Sequence, residues 1–113
     1  MGERERRLPD DPLAFIKRCV GDGRLYWTYH VNMRMRGRSI SRAILTDSID
    51  TYEIIETYPE DRYFPTYLVF ARHGSDVIHV VFAADVEGGN VRVVTAYRPA
   101  ATEWDNELKR RRS

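Results

Sequence analysis

The spacing of hydrophobic residues changes near residue 51. Before that point apolar positions recur every three to four residues, and after it they alternate, which predicts helices first and strands afterwards. Residues 1–9 are charged and aperiodic and are expected to be flexible. Asp10-Asp11-Pro12 supplies an acidic cap and a proline for a first helical turn. Leu13, Ile16 and Val20 follow at helical spacing, and Gly21 with Gly23 marks the end. Arg24 to Tyr29 is rich in strand formers and reads either as a short strand or as an extended lead into the next helix. His30 to Arg36 predicts a second helix, with Val31 and Met35 as its buried stripe and Gly37 as its stop. Ser39 is placed to cap a third, short helix through about Thr46, anchored by Ile40, Ala43 and Ile44.

Four strands are predicted after the change of period, at Tyr52–Tyr58, Tyr67–Arg72, Val77–Asp85 and Val91–Tyr97. His73-Gly74-Ser75-Asp76 and Glu87-Gly88-Gly89-Asn90 are tight-turn tetrapeptides, so the last three strands form an antiparallel meander. Val77 to Phe82 carries one polar residue, His79, and so predicts a central strand covered on both faces. Residues 102–110 are expected to form a short C-terminal helix, with Thr102 as cap and Trp104 turned inward. The predicted class is α+β: N-terminal helices packed on one face of a largely antiparallel four-stranded sheet, with a short C-terminal helix. Residues 10–108 would form one domain, and 109–113 a basic tail.

Composition adds bounds. The chain has 113 residues, enough to bury one core, and 42% of them are hydrophobic. No stretch approaches the roughly 20 apolar residues of a membrane span. The basic N-terminus has no apolar run behind it and is not a secretory signal, and Cys19 is the only cysteine. A cytoplasmic protein without membrane association is expected. The net charge of +1 hides a cluster of Arg34, Arg36, Arg38 and Arg42, a basic run Lys109 to Arg112, and an acidic stretch of Glu53, Glu56, Glu60 and Asp61. Local positive charge suits a phosphate backbone even where the overall charge is near neutral.

The densest chemistry is His30, Arg34 and Arg38. A spacing of four places successive side chains on nearly the same helix side, though Gly37 leaves the aim of Arg38 open. Arginine offers forked donors for phosphate oxygens, and histidine moves a proton near neutral pH. Ribonuclease chemistry of this kind uses the RNA's own 2′-hydroxyl as nucleophile. Plain structural roles compete with this one. His30 could bond the backbone at a helix start, and Arg34 could pair with Glu53 or Glu56. His79 reads first as a satisfied core histidine, and as a second acid or base if it opens onto the groove of His30. Tyr97 and Arg98 end the last strand, where a side chain can reach a phosphate or stack on a base. The three histidines lack the spacing of a metal site, and no glycine-rich phosphate loop is present, so neither metal nor cofactor is expected.

The run from His30 through Arg34-Met35 and Arg38-Ser39-Ile40-Ser41 resembles the signature H-x-x-x-R-M-x-x-R-G-I-S of a bacterial family, domain of unknown function 4258. Further blocks follow in order: Ile54 to Pro59, Ile78-His79-Val80-Val81, Val93 to Pro99, and Trp104. The chain departs from the pattern at Gly37, where an acid is common, and at Ser39, where glycine is common. The family is similar to RelE-, BrnT- and MqsR-type toxins. The resemblance implies a metal-independent endoribonuclease acting on mRNA, with His30, Arg34, His79 and Tyr97 as catalytic candidates and Arg38 and Arg98 as RNA contacts. It also implies an antitoxin partner of zinc-ribbon type, with a homodimer allowed. The alternative is a non-catalytic protein-interaction or nucleic-acid-binding module on the same fold.

Overall fold

In the computed structural model, which describes residues 7–112, three α-helices precede most of a five-stranded mixed sheet. Helix α1 spans Pro12–Gly21, strand β1 Leu25–Tyr26, α2 Tyr29–Gly37 and α3 Arg42–Asp47, with a 3-10 turn at Ile49–Thr51. Strands β2 (Glu53–Tyr58), β3 (Thr66–His73), β4 (Asp76–Asp85) and β5 (Asn90–Tyr97) follow. The sheet order is β1-β5-β4-β3-β2. Residues 1–6 of the segment expected to be flexible, and Ser113 of the expected basic tail, lie outside the described residues. Pro9 is buried.

Each helix starts where a short polar side chain can accept from a backbone N–H left without an intrahelical partner. Asp11 accepts from the N–H of Ala14, Thr28 from Val31 and Ser41 from Ile44. Ser41, rather than Ser39, therefore caps α3. Ser39 instead adopts a left-handed backbone with φ 57°. Its N–H bonds the carbonyl of Arg36, and the next N–H, of Ile40, reaches back to Met35. This sharp reversal turns Ile40 into the core.

The core lies between the helices and one face of the sheet. Phe15, Ile16, Cys19 and Val20 of α1, Met35 of α2 and Leu45 of α3 meet alternate residues of the strands. These are Tyr67, Val69 and Ala71 on β3, Ile78, Val80 and Phe82 on β4, and Val91, Val93 and Ala96 on β5. The alternation follows from the two-residue period of a strand. β4 is central and covered on both faces, as its apolar run predicts.

Three expectations are corrected. The sheet has five strands, not four, because Leu25–Tyr26 pairs in parallel with Val91 and Arg92 at the edge of β5. Of the two readings of Arg24 to Tyr29 the short strand holds, over Leu25–Tyr26, but two residues carry too little pattern to show which strand they pair with. The helices also sit differently: a strand separates α1 from α2, and among the described residues there is no C-terminal helix. Residues 101–112 instead form turns and one antiparallel bridge between Trp104 and Arg111. Asp105 explains the change. Its carboxylate accepts from the N–H groups of Lys109 and Arg110, a local competitor to helical bonding. Leu108 takes a left-handed φ of 61°, and the segment packs on the second face of the sheet, where Trp104 and the Leu108 carbonyl meet His79.

Beyond Arg92, β5 has no further pairing with β1. Helix α2 runs along this edge in the direction of β5. Thr28 at its start lines the same groove as Val93, and Arg38 at its end bonds the Ala96 carbonyl. A helix laid along an open edge is one of the ways proteins protect unpaired strand groups.

Candidate functional site

The sequence-predicted residues fall into three groups. The first is His30 with Arg34 on α2. Both are exposed, and neither side chain makes a hydrogen bond or ion pair with another described residue. The plain roles that compete for them are filled by others. Thr28 caps the helix, and Glu53 and Glu56 pair with Lys109 and Arg111. At about 100° per residue, Arg34 lies about 60° and His30 about 100° around the helix from Val31, while Met35 lies about 40° the other way. Met35 is buried in the core, so the His30–Arg34 side faces away from it.

The second group is Arg38 with Arg98. Gly37 closes α2, and the Arg38 guanidinium turns onto β5, donating to the Ala96 carbonyl at 2.8 Å and to Thr95 Oγ1 at 3.3 Å. Arg98 grips Asp76 with Nε and Nη2, both at 2.9 Å, and donates to the carbonyls of Arg38 and Ser39. This forked bond holds the Asp76 carboxyl below its ordinary range, against a smaller opposing effect of burial. The two arginines thus latch the end of α2 to the ends of β5 and β4.

The third group is His79 with Tyr97. His79 is opposite Phe70 on one side and Tyr97 on the other, so the three rings form a row across β3, β4 and β5. Trp104 closes over the row, its ring 4.4 Å from that of His79 and perpendicular to it. His79 is fully buried. Its Nε2 lies 2.6 Å from the Leu108 carbonyl, which can only accept, so Nε2 carries the proton and Nδ1 is left without a partner. Burial pushes the His79 imidazole down from its ordinary value, against a smaller upward pull from the Leu108 carbonyl and from Glu56. Burial likewise raises the Tyr97 phenol.

Sequence reasoning missed the polar rim of this third group. Arg111 forks onto Glu56 at 2.7 and 3.2 Å, Tyr58 donates to the same carboxylate, and the Arg111 guanidinium lies 4.6 Å from the Trp104 ring. Burial pushes Glu56 up, but the bonds from Arg111 and Tyr58 outweigh it and hold the carboxyl below its ordinary range. Lys109 pairs with Glu53 at 3.0 Å. The available signal was charge: the acidic stretch and the basic run complement each other. No hydrogen bond, ion pair or ring contact joins His30 or Arg34 to His79 or Tyr97. The described residues contain no group of three or more His, Cys, Asp or Glu able to hold a metal ion. No helix among them is long and apolar enough to cross a membrane.

Comparison with known proteins matches residues 27–98 to a family described as Domain of unknown function (DUF4258). No curated protein and no solved structure matches. The match takes in α2, α3 and all of β2 to β5, and includes His30, Arg34, Arg38, His79, Tyr97 and Arg98. The segment that covers His79 lies beyond it. Spanning more than half of the 113 residues, it shows that this chain belongs to the domain of unknown function 4258 family.

Proposed function

We propose that this chain is a toxin-type endoribonuclease acting on mRNA, with His30 as the proton carrier and Arg34 as the phosphate contact. The observation that carries the reading is that His30 and Arg34 stand exposed on one side of α2 with their plain structural roles filled by Thr28, Lys109 and Arg111. In the reaction, the 2′-oxygen attacks the adjacent phosphorus and the bond to the 5′-oxygen breaks, leaving a 2′,3′-cyclic phosphate and a 5′-hydroxyl. His30 takes the 2′-hydroxyl proton, and the departing oxygen takes one from water. Arg34 forks onto the non-bridging oxygens, where negative charge grows. Arg38 adds positive charge with the part of its fork not spent on β5. Arg98 acts by holding Arg38 in place, and His79 and Tyr97 act by keeping the sheet packed beneath Trp104.

The likeness to RelE-, BrnT- and MqsR-type toxins supports a partner that silences the site, an antitoxin of zinc-ribbon type covering α2. Induced expression is then expected to arrest growth, and His30→Ala or Arg34→Ala to relieve the arrest. Harmless expression of the intact chain, with RNA left uncut by the purified protein, overturns the reading.

One observation favours a second reading, a nucleic-acid-binding module without catalysis. Among the described residues no side chain hydrogen-bonds the His30 imidazole to orient it, as a general base is commonly oriented. That reading expects RNA binding that weakens steeply with salt while the RNA stays intact.

A further inference from the structure

A groove of about 580 Å³ opens between the first turn of α2, the loop before β3 and the outer face of β5. Its volume is that of a small-ligand site. Thr28 and Val31 form one wall, Tyr63 and Phe64 the other, and Arg92 and Val94 the floor. Tyr63 is 75% exposed and Val94 47%, so both side chains are open to a ligand in the groove. Each aromatic ring carries a guanidinium: Arg62 stands 5.1 Å from the centre of Tyr63, and Arg92 stands 5.1 Å from that of Phe64.

Val94 is the extra residue of β5 at the irregularity between Val81 and Phe82, opposite no residue of β4. A bulge re-aims the side chain it carries, and here Val94 lines the groove. The groove also adjoins the His30–Arg34 side of α2. Val31 lines it, Arg34 is one helical turn further on, and Arg38, on the same side of the helix, already reaches Thr95 on the outer face of the sheet.

Flat aromatic faces paired with guanidinium groups suit a planar ring bonded to a phosphate. An aliphatic ligand has no use for the arginines, and a bare anion has none for the rings. We propose that this groove seats one base of a single-stranded RNA, next to the phosphate held by Arg34. The proposal rests on the RNA-directed reading above and assigns it a base subsite formed by Tyr63, Phe64 and Arg92, outside the His30–Arg38 segment.

The test is binding of two labelled 2′-O-methyl RNA octamers, which lack the attacking 2′-hydroxyl and stay uncut, identical except that one lacks its central bases, to the full chain and to Tyr63→Ala, followed by fluorescence anisotropy. Tyr63 is exposed, so its removal leaves the fold intact, which an unchanged thermal midpoint verifies. The expected result is that Tyr63→Ala weakens the complete octamer at least about fivefold, the low end for loss of one base stack, and leaves the abasic octamer unchanged. Equal binding of both octamers by the unaltered chain overturns the base subsite while leaving a charge-based RNA site on α2 in place. Unchanged binding by Tyr63→Ala, with loss of a protein partner instead, also overturns it and makes the groove a protein-docking site. If the unaltered chain binds neither octamer, the RNA-directed reading falls with it.

Discussion

His79 and Trp104 meet edge to face, ring centres 4.4 Å apart and planes at 90°, which joins the centre of the sheet to a segment without regular secondary structure. Trp104 is 1% exposed and shields the His79 side chain from solvent. Residues 101–112 are therefore part of the folded unit, tied down by Trp104, by the Leu108 carbonyl and by the pairs of Lys109 and Arg111 with Glu53 and Glu56.

Trp104→Ala removes the largest fully buried side chain of the protein. A loss of about 3–5 kcal/mol is expected, as for other large aromatic truncations in cores. Urea unfolding followed by fluorescence of Trp27 measures it. A loss below about 1 kcal/mol would mean that the segment rests on the sheet without holding it.

Acid should destabilise the fold in two stages, with signs fixed by the direction of each shift. His79 has a folded-state value pushed below its ordinary 6.5, so its stabilisation is complete above that value and is lost as pH falls through the lower, folded one. Glu56 and Asp76 are also lowered, from ordinary values of 4.5 and 3.8, so their contribution is lost later, in more acid solution. The Asp76–Arg98 pair is partly exposed and adds little after screening by water and salt. His79→Gln should remove the first stage and leave the second. Unfolding midpoints measured from pH 7 to pH 3 test this, and a slope just below pH 6.5 that is unchanged in the variant would count against it.

Ser39→Gly should stabilise the protein by roughly 0.5–1 kcal/mol. Ser39 holds φ at 57°, a region that costs a residue with a Cβ about 1–2 kcal/mol, partly offset by the greater unfolded-state freedom of glycine. The signature this chain resembles has glycine at the position, so the departure reads as tolerated strain at the end of α2. A lower thermal midpoint in the variant would show that the Ser39 side chain contributes more than its backbone costs.

The helices and the meander were legible because their signals are local. Asp11 is a capping type at the start read for α1, and the four long strands alternate between faces. The caps Thr28 and Ser41 were not assigned, and Ser39 was read in place of Ser41. Two further features were not legible. Leu25–Tyr26 joins the sheet only because β5 is there to receive it. Residues 102–110 look helical in isolation, but Trp104 and Leu108 find better partners on His79 than on each other. At the site, helical spacing correctly put His30 beside Arg34 and left Arg38 open. It could not foresee that Arg38 and Arg98 would latch onto the protein, since those bonds join residues 57 to 60 positions apart. Nor could it find the groove at Tyr63, whose lining comes from four separate stretches of chain.

In the proposed function the exposed pair on α2 acts on RNA while the rest of the structure holds it in place. The most direct measurement is cleavage of a labelled single-stranded RNA, and of its 2′-deoxy counterpart, by the purified chain, by His30→Gln and by Arg34→Ala, with thermal midpoints recorded alongside. Only the ribose form is expected to be cut, yielding 2′,3′-cyclic phosphate ends. Each substitution should lower the rate at least about 100-fold while stability changes by no more than about 0.5 kcal/mol, as for exposed residues. Equal cleavage by the chain and both variants would contradict the claim, as would cleavage of the deoxy form or intact RNA in every reaction.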